Sequence, residues 1–372
     1  MKPETIAIHA GGEPDPATGA VAPSIQLSTT FRHGPAGERA AGYEYVRETN
    51  PVQDRLESAL AAIEGGGAAL AFASGMAAQY AWLMALPAGA HLLVPRDVYQ
   101  GLRTLAQEFL VDKGISASAV DTADVDAVRA AITPATRALW LETPSNPLLV
   151  VSDIAALAEI ARARGVLLAV DNTFATPALQ QPLALGADVV MHSTTKYLGG
   201  HSDVMGGALV FRERDEAHAR IFHARHVQGA VMAPFNAWLT LRGIRSLHAR
   251  MAWHCRNARA LAEYLDGHPA VAQLNWPGLP KHRNHAVAAL QMRDYGGMAS
   301  VRIHGGRDAA LRVASRLRLF TNATSLGGVE SLVEHRASVE GANPVSPQDL
   351  LRLSIGLEHP DDLIEDWRQA LG

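Results

Sequence analysis

Between residues 68 and 211, short apolar runs alternate with amphipathic stretches, and this alternation constrains the fold more than any other feature of the sequence. The runs have the length of buried strands, and the stretches between them carry apolar residues at helical spacing. Strands that alternate with helices imply βαβ units, so we expect an α/β fold whose mainly parallel sheet is covered on both faces. Strands are predicted over residues 68–73, 91–94, 138–142, 165–170, 188–191 and 207–211, and helices over 76–86, 101–112, 125–132 and 153–163.

The pattern changes on both sides of this region. Residues 1–48 are rich in Gly, Pro and polar residues and are predicted to form an N-terminal arm, and residues 49–234 then form a large domain. Asn50-Pro51 marks the start of its first helix, with an N-cap and proline at the first helical position. After about residue 234 a smaller α+β domain with a linking helix is predicted over residues 235–372. Its expected elements are helices over 235–265, 307–317 and after residue 360, and apolar runs over 271–276, 299–303 and 351–357.

Composition excludes several classes of protein. The chain has 372 residues, 48% hydrophobic and 19% charged, with a net charge of −4. These values describe a globular enzyme and indicate neither a nucleic-acid surface nor a membrane span of roughly 20 apolar residues. Cys255 is the only cysteine, which rules out an intrachain disulfide and agrees with a reducing compartment. With no signal peptide at the N-terminus, we expect a cytoplasmic protein.

Two of the predicted strands end in polar residues that suit one cofactor. The run 165–170 is followed by Asp171, and the run 188–191 is followed by a hydroxyl-rich segment that contains Lys196. A pyridoxal phosphate site needs an Asp against the pyridinium nitrogen and a Lys that bonds to the cofactor. A lysine in a polar turn is usually a solvated charge. This chain, however, has four lysines in all and places Lys196 among small and apolar residues, where desolvation would activate the amine.

The segments 171–177 and 193–203, which read DNTFATP and STTKYLGGHSD, resemble the signature of the Cys/Met-metabolism pyridoxal phosphate enzymes. That family includes cystathionine γ-synthase, cystathionine γ- and β-lyases and methionine γ-lyase. The likeness runs from about Tyr45 to the C-terminus. It implies the type I fold of pyridoxal phosphate-dependent transferases, with a mainly parallel seven-stranded sheet in the large domain.

A turn between a strand and a helix is the second candidate for phosphate binding. Ser74-Gly75-Met76 opens a predicted helix, whose N–H groups and positive dipole end can hold a phosphate, although many turns of small residues look similar. The resemblance implies that this turn binds the cofactor phosphate. It assigns the cofactor site Ser74, Gly75, Met76, Thr173, Ser193 and Thr195.

Other roles are implied by the resemblance, and each has a plainer interpretation. Tyr99 would stack on the cofactor ring and assist proton transfer, or it simply packs. Asn146 would contact the cofactor ring oxygen and the substrate, or it only shapes a turn. Arg352 interrupts an apolar strand and would bind the substrate α-carboxylate with the help of Ser325; otherwise it faces water on an edge strand.

Tyr45 and Arg47 precede the first helix of the large domain. Surface residues are the simple interpretation, but the family places this Tyr-x-Arg-x-x-Asn-Pro motif across a dimer interface, on the phosphate of the neighbouring subunit. Tyr45 would then join Lys196 and Tyr99 as a catalytic residue. The sequence therefore predicts a homo-oligomer, at least a dimer and by resemblance a tetramer of dimers with shared sites. His192 and His201 flank the lysine without forming a metal-binding constellation, so no metal is expected.

We expect a trans-sulfuration enzyme that acts on a homoserine- or cysteine-derived amino acid, with γ-synthase-like activity in methionine and cysteine biosynthesis. A cystathionine γ- or β-lyase and a methionine γ-lyase are the alternatives. Thr324 stands where γ-synthases and γ-lyases commonly carry a Glu that receives the distal amino group of cystathionine, which counts against cystathionine as a substrate or product, and the segment 334–341 also departs from the family pattern. A non-catalytic pyridoxal phosphate-binding protein is the alternative of another class. A nucleotide-binding oxidoreductase is disfavoured, since no Gly-x-Gly-x-x-Gly motif follows a strand.

Overall fold

The computed structural model describes residues 1–341 and 344–372. Within them the chain forms two sheets, one of seven strands and one of five, with helices packed around them. The predicted α/β class is confirmed. The proposed domain boundaries at residues 48 and 234 stay a prediction.

The elements follow one another in a regular order along the chain. A π-helical turn at Leu105–Phe109 and a 3-10 turn at Val111–Lys113 follow the fourth α-helix. The α-helices are α1 Pro3–His9, α2 Pro51–Glu64, α3 Gly75–Met84, α4 Gln100–Thr104, α5 Val125–Ala131, α6 Ile154–Ala163, α7 Thr176–Leu179, α8 Glu216–Gln228, α9 Pro234–Ile244, α10 Leu247–Leu265, α11 His285–Gln291, α12 Gly306–Arg316, α13 Arg336–Val339 and α14 Pro360–Leu371. The strands are β1 Ala68–Phe72, β2 His91–Pro95, β3 Ser116–Val120, β4 Thr136–Glu142, β5 Leu167–Asp171, β6 Val189–His192, β7 Gly207–Phe211, β8 Val271–Asn275, β9 Met298–Ile303, β10 Thr321–Asn322, β11 Leu332–His335 and β12 Leu350–Ser354.

The seven-stranded sheet has the order β1-β7-β6-β5-β4-β2-β3. The pairs from β6 to β3 are parallel, and β7 runs antiparallel to both of its neighbours. In a parallel sheet the carboxyl ends of the strands meet at one edge, which brings the residues that follow β4, β5 and β6 together. The sheet is therefore the frame on which the candidate site is built.

Strand β3 was missed in the sequence. It lies at the edge of the sheet, and its first four residues are exposed, so it carries no apolar run that would mark it as buried. The helix predicted over residues 101–112 was also wrong in detail, because the α-helix ends at Thr104 and the chain continues through the π and 3-10 turns.

The start of α2 follows the prediction from its caps. The Asn50 side chain accepts a hydrogen bond from the Val52 amide at 2.9 Å, and Gly65 ends the helix in the left-handed conformation at φ 71°. The preceding segment contains one helix, α1, that the sequence did not show. Part of the segment is tied to its own chain, since the Trp238 indole donates to the Pro23 carbonyl at 2.8 Å.

The five-stranded sheet has the order β10-β11-β12-β9-β8 and is antiparallel except for the β10-β11 pair. The helical stretch predicted over residues 235–265 is two helices, because α9 ends at Ile244 and α10 begins at Leu247. Strands β10 and β11 and the short helices α11 and α13 were missed, since each is at most seven residues long. Nowhere in the described ranges is a helix both long and apolar enough to cross a bilayer.

Candidate active site

A cavity of about 260 Å³ lies where the carboxyl edge of the large sheet meets the second sheet. Twelve of the residues singled out in the sequence line it, although they are spread over 279 positions, from residue 74 to residue 352. They are Ser74, Gly75, Met76, Tyr99, Asn146, Asp171, Thr173, Ser193, Thr195, Lys196, Ser325 and Arg352.

Lys196 projects into this cavity from the loop after β6. Its Nζ donates a hydrogen bond to the Ser325 hydroxyl at 2.8 Å. Burial and, to a lesser extent, the positive charge of Arg352 lower the pKa of the Lys196 amine to about 8, against the opposing effect of Glu334. An amine with such a pKa is unprotonated in about a tenth of the molecules at pH 7, far more often than an ordinary lysine amine, which suits both nucleophilic attack and proton transfer.

The loop that carries Ser325 is held close to the lysine. Gly327 lies against the backbone of Lys196 and Tyr197, and a Cβ at this glycine would come within 2.7 Å of the Tyr197 nitrogen. Ser325 itself has φ 95°, a conformation that costs free energy for a residue with a side chain. Packing of the loop against residues 196 and 197 therefore holds the Ser325 hydroxyl beside the amine.

Two carboxyl groups lie side by side at the floor of the cavity. Glu142 and Asp171 end the neighbouring parallel strands β4 and β5 and are register partners. Burial raises the pKa of Asp171, and burial together with the charge of Asp171 raises the pKa of Glu142 well above its ordinary value. Two buried carboxylates this close cannot both be charged at low cost. A cation placed against Asp171 would favour the charged form there, so Glu142 would keep its proton.

Glu142 also orders the loops around the cavity. Its Oε2 accepts a hydrogen bond from the backbone N–H of Tyr99 at 2.8 Å. Asp171 in turn accepts from the backbone N–H of Thr173 at 3.0 Å, and Thr173 Oγ1 accepts from the Ser193 N–H at 2.9 Å. One of these bonds joins the loop after β2 to the end of β4, and another joins the loop after β5 to the loop after β6.

The N-terminus of α3 forms one corner of the cavity. Ser74 caps the helix by accepting a hydrogen bond from the Ala77 N–H at 3.1 Å. The other N–H groups of the first turn have no partner within the helix, as at the start of any α-helix. A Cβ on Gly75 would lie 3.1 Å from the Ser193 hydroxyl, so the glycine keeps the space between helix and loop open for an anion. These features fit a pyridoxal phosphate whose phosphate this corner would hold, whose aldehyde Lys196 would bond and whose ring nitrogen Asp171 would pair with.

Arg352 lies on the opposite wall, in the centre of β12. It is 4% exposed, and burial lowers the pKa of its guanidinium to about 10, so it remains charged at neutral pH. Its Nη2 is 2.7 Å from Glu334 Oε2 and 2.9 Å from the Ser325 carbonyl, and its Nη1 is 3.2 Å from Asn146 Oδ1. The interpretation of Arg352 as a solvent-facing residue is wrong, because β12 is an inner strand of its sheet.

Tyr99 stands at the mouth of the cavity and is 40% exposed. Tyr45 and Arg47 are not among the residues that line the cavity. Tyr45 is 43% exposed, and Arg47 donates from Nη1 to the carbonyl of His226 in α8 at 3.1 Å. Their predicted roles, and the contacts predicted for the other site residues with cofactor and substrate, stay predictions.

The cavity also contains residues to which the sequence assigned no role. Arg336 and Glu142 are the charged ones, and Thr324 had been noted only as a departure from the family. Glu142 could have been found by its position at the end of a strand next to that of Asp171. Arg336 had no comparable signal, because its place depends on how α13 packs. The remaining residues of this group are Gln79, Phe174, Met191, Met205 and Leu326.

The fold and the cavity are those of a pyridoxal phosphate-dependent enzyme of fold type I. The model of the family described as "Cys/Met metabolism PLP-dependent enzyme" matches residues 4–372. The chain belongs to this family, and its cofactor is pyridoxal phosphate.

Individual relatives resemble the chain along its whole length. A cystathionine gamma-synthase of Mycobacterium tuberculosis is 50% identical, with 100% of this chain and 97% of the relative covered. A cystathionine beta-lyase of Coxiella burnetii is 43% identical, with coverage of 99% and 97%. The crystal structure of a cystathionine gamma synthase from Xanthomonas oryzae pv. oryzae in complex with cystathionine superposes with a TM-score of 0.96 at 42% identity, covering 100% of this chain and 98% of that one.

Proposed function

We propose that this enzyme catalyses γ-replacement on an acyl ester of homoserine, in which a thiol such as cysteine displaces the acyl group. The Cγ–O bond breaks, a Cγ–S bond forms, and the products are a thioether amino acid and a carboxylic acid. The observation that carries the proposal is the junction of Lys196, Ser325 and Arg352, because it places an amine that can move protons beside a site for an α-carboxylate. The 50% identity to a relative named cystathionine gamma-synthase supports the γ-synthase reaction.

Arg352 would orient the substrate. When an α-carboxylate binds to its guanidinium, the bond with Glu334 keeps the guanidinium in place from behind, and Asn146 fixes its other nitrogen. The α-carbon of the substrate is then held near Lys196, since Ser325 contacts both side chains. A fixed orientation of this kind lowers the entropic part of the barrier.

Lys196 would move the protons. Bound pyridoxal phosphate supplies an electron sink that makes the proton on Cα acidic. The Lys196 amine would remove this proton and transfer protons at Cβ before the leaving group departs from Cγ, because Ser325 holds the amine beside the carboxylate anchor. Ser325 accepts a hydrogen bond from the amine and so directs it towards the α-carbon, and Tyr99 is placed to assist from the mouth of the cavity.

A C–S lyase is the second candidate. The relative named cystathionine beta-lyase is 43% identical over 99% of this chain. In that case the C–S bond of a thioether amino acid would break, a thiol would leave, and water would hydrolyse the remainder to a 2-oxo acid and ammonia.

The two candidates are separated by product analysis on the holoenzyme. We expect absorbance changes of the bound cofactor on addition of an acyl homoserine, and formation of cystathionine when cysteine is present. Measuring 2-oxo acid, free thiol and cystathionine in parallel gives the ratio of replacement to elimination. Release of 2-oxo acid from cystathionine, with no thioether formed from any acyl homoserine, would identify a lyase and contradict the proposal.

We also propose that the enzyme acts as a homo-oligomer with active sites shared between subunits, and that Tyr45 and Arg47 serve the neighbouring site. In support, both residues lie outside the cavity of their own chain. The arginines that line this cavity are Arg336 and Arg352, and none of its lining arginines lies at the N-terminus of α3, where the phosphate is expected. An arginine from a neighbouring subunit would fill that place. A tetramer built from two such dimers is the arrangement we propose.

The shared site predicts that two inactive variants complement each other. Arg47→Ala and Lys196→Ala subunits, mixed under conditions that allow subunit exchange, are expected to regain up to about a quarter of wild-type activity, because one hybrid site then has both groups. Mass spectrometry of differently tagged subunits would confirm the exchange. Hybrids that form and stay inactive would overturn the proposal of shared sites while leaving the proposed reaction untouched.

A further inference from the structure

His192 lies next to the cofactor segment but does not line the cavity. It is buried, ends β6 and directly precedes Ser193. Successive side chains of a strand point to opposite faces of a sheet, and Met191 lines the cavity, so His192 points to the other face. The same alternation separates Asp171, which lines the cavity, from the buried Asn172 that follows it.

One carboxylate oxygen contacts both side chains on that other face. Glu64, the buried last residue of α2, has its Oε1 at 2.5 Å from His192 Nε2, and the same Oε1 accepts a hydrogen bond from Asn172 Nδ2 at 2.9 Å. Since β5 and β6 are parallel neighbours, this oxygen holds their carboxyl ends together from behind. On the cavity face the bond from the Ser193 N–H to Thr173 Oγ1 joins the same two ends.

Asn172 is also fixed by Gln180. The Gln180 Nε2 donates to Asn172 Oδ1 at 3.0 Å, and Asn172 Nδ2 donates to the Gln180 carbonyl at 2.9 Å. Gln180 Oε1 in turn accepts from Gln291 Nε2 of α11 at 3.0 Å. Because these bonds leave Asn172 little freedom, a change at Glu64 is transmitted to Asp171, the residue before it in the chain.

Stability alone does not explain the pair of Glu64 and His192. Glu64 Oε2 and His192 Nδ1 are buried and find no hydrogen-bond partner within residues 1–341 and 344–372. Buried polar atoms without partners cost free energy, and apolar side chains of similar volume often replace a buried ion pair without loss of stability. A role towards the site on the cavity face of the sheet accounts for the presence of the pair.

The charge of His192 also acts on Asp171. Burial raises the pKa of the Asp171 carboxyl, whereas its hydrogen bonds with Thr173 and the positive charge of His192 lower that pKa. The imidazole behind the strand therefore favours the carboxylate form of Asp171, which is the form that pairs with a protonated ring nitrogen.

We propose that Glu64 and His192 form a positioning pair for the cofactor, which acts from the opposite face of the sheet and holds Asp171 in place and ionised against the ring nitrogen of pyridoxal phosphate. Glu64 orients His192 and Asn172, and these two residues fix the ends of β6 and β5. This inference rests on the pairing of Asp171 with the ring nitrogen. It holds equally for replacement and for elimination, because both reactions use the ring as an electron sink.

The test compares the binding of two cofactors to the full-length protein after its own cofactor has been removed. One is pyridoxal phosphate, and the other is its analogue with a carbon atom in place of the ring nitrogen. Both have the same phosphate and aldehyde, so a general disturbance of the site weakens both, whereas a disturbance at Asp171 weakens pyridoxal phosphate alone. We expect Glu64→Gln to lower the preference for pyridoxal phosphate, the ratio of the two dissociation constants, at least about fivefold and to shift the absorbance band of the bound cofactor. His192→Gln, the second variant should Glu64→Gln fail to fold, is expected to lower the same preference.

Two further variants calibrate the measurement. Asp171→Asn should lower the preference more than either variant of the pair, because it changes the carboxylate itself. Asp366→Asn is the matched control. Asp366 is also a buried carboxyl group, but it lies outside the cavity and accepts the backbone N–H of Leu319 at 2.8 Å. Its replacement should lower stability in chemical denaturation and leave both the preference and the absorbance band unchanged.

Equal weakening of both cofactors in folded Glu64→Gln and His192→Gln would overturn the inference, because the pair would then only support the fold. Unchanged binding of both cofactors would overturn it as well, since the pair would have no effect at the cofactor. An unchanged preference in Asp171→Asn would contradict the placement of the ring nitrogen and the inference with it. The proposed γ-replacement is tested separately by the products of the wild-type enzyme, which none of these outcomes changes.

Discussion

Replacing Lys196 with alanine is expected to lower turnover by at least about 10³-fold, because the variant loses both the amine that bonds to the cofactor and the base that moves the protons. The variant should also lack the cofactor mass that borohydride reduction fixes to the wild-type chain, which mass spectrometry detects independently of activity. Added small alkylamines should restore part of the rate, since they can enter the space that the side chain leaves.

Lys281→Ala is the matched control for this prediction. Its ammonium is largely exposed and is paired with Asp266 on the surface, so its loss should change neither turnover nor cofactor attachment. A Lys196→Ala enzyme that keeps full activity, or a variant chain that still gains the cofactor mass after borohydride reduction, would overturn the assignment of the site.

Arg352→Gln is expected to lower kcat/KM by roughly 10²- to 10³-fold, chiefly through KM, because the α-carboxylate of the substrate loses its charged partner. Arg352→Lys should recover only part of this loss, since an ammonium cannot donate in parallel to the carboxylate and to Asn146. Steady-state kinetics on the purified holoenzymes would measure both effects.

Stability should change less than activity in Arg352→Gln. Breaking a buried ion pair typically costs about 3–5 kcal/mol, but Glu334 retains Arg336 at 2.8 Å, so we expect a loss in the lower part of that range or below it. Chemical denaturation would measure it.

Arg302→Gln on the adjacent strand β9 is the control for the kinetic prediction. Arg302 forms its ion pair with Asp349 near the surface, so its replacement should leave the KM unchanged. A KM unchanged in Arg352→Gln would contradict the role of Arg352.

Local features of the chain account for the correct part of the prediction from sequence. The apolar runs of β5 and β6 are buried on both sides, so their length and composition show where each strand ends. Asp171 and the segment with Lys196 follow those ends directly, and parallel strands bring their carboxyl ends to one edge of the sheet. For this reason the cofactor site and the fold class could be predicted without coordinates.

Features with weak local patterns were missed. Strand β3 is an exposed edge strand stabilised by pairing with β2, and β10 is only two residues long. Nothing in the alternation of residues marks such strands, because their stability comes from neighbours distant in sequence. The same holds for the break between α9 and α10, where a continuous helical pattern concealed two helices.

The sequence by itself therefore determined the α/β class, the family and the Asp171 and Lys196 pair. Each of these can be recognised from short runs of consecutive residues, without knowing which distant residues they contact. Only the tertiary structure decided what surrounds that pair. The register of β4 against β5 places Glu142 beside Asp171, and the pairing of β11 with β12 brings Glu334 next to Arg352. Packing of α13 then adds Arg336 to the same wall. Contacts between elements that are distant in sequence therefore set the charges around the Asp171 and Lys196 pair.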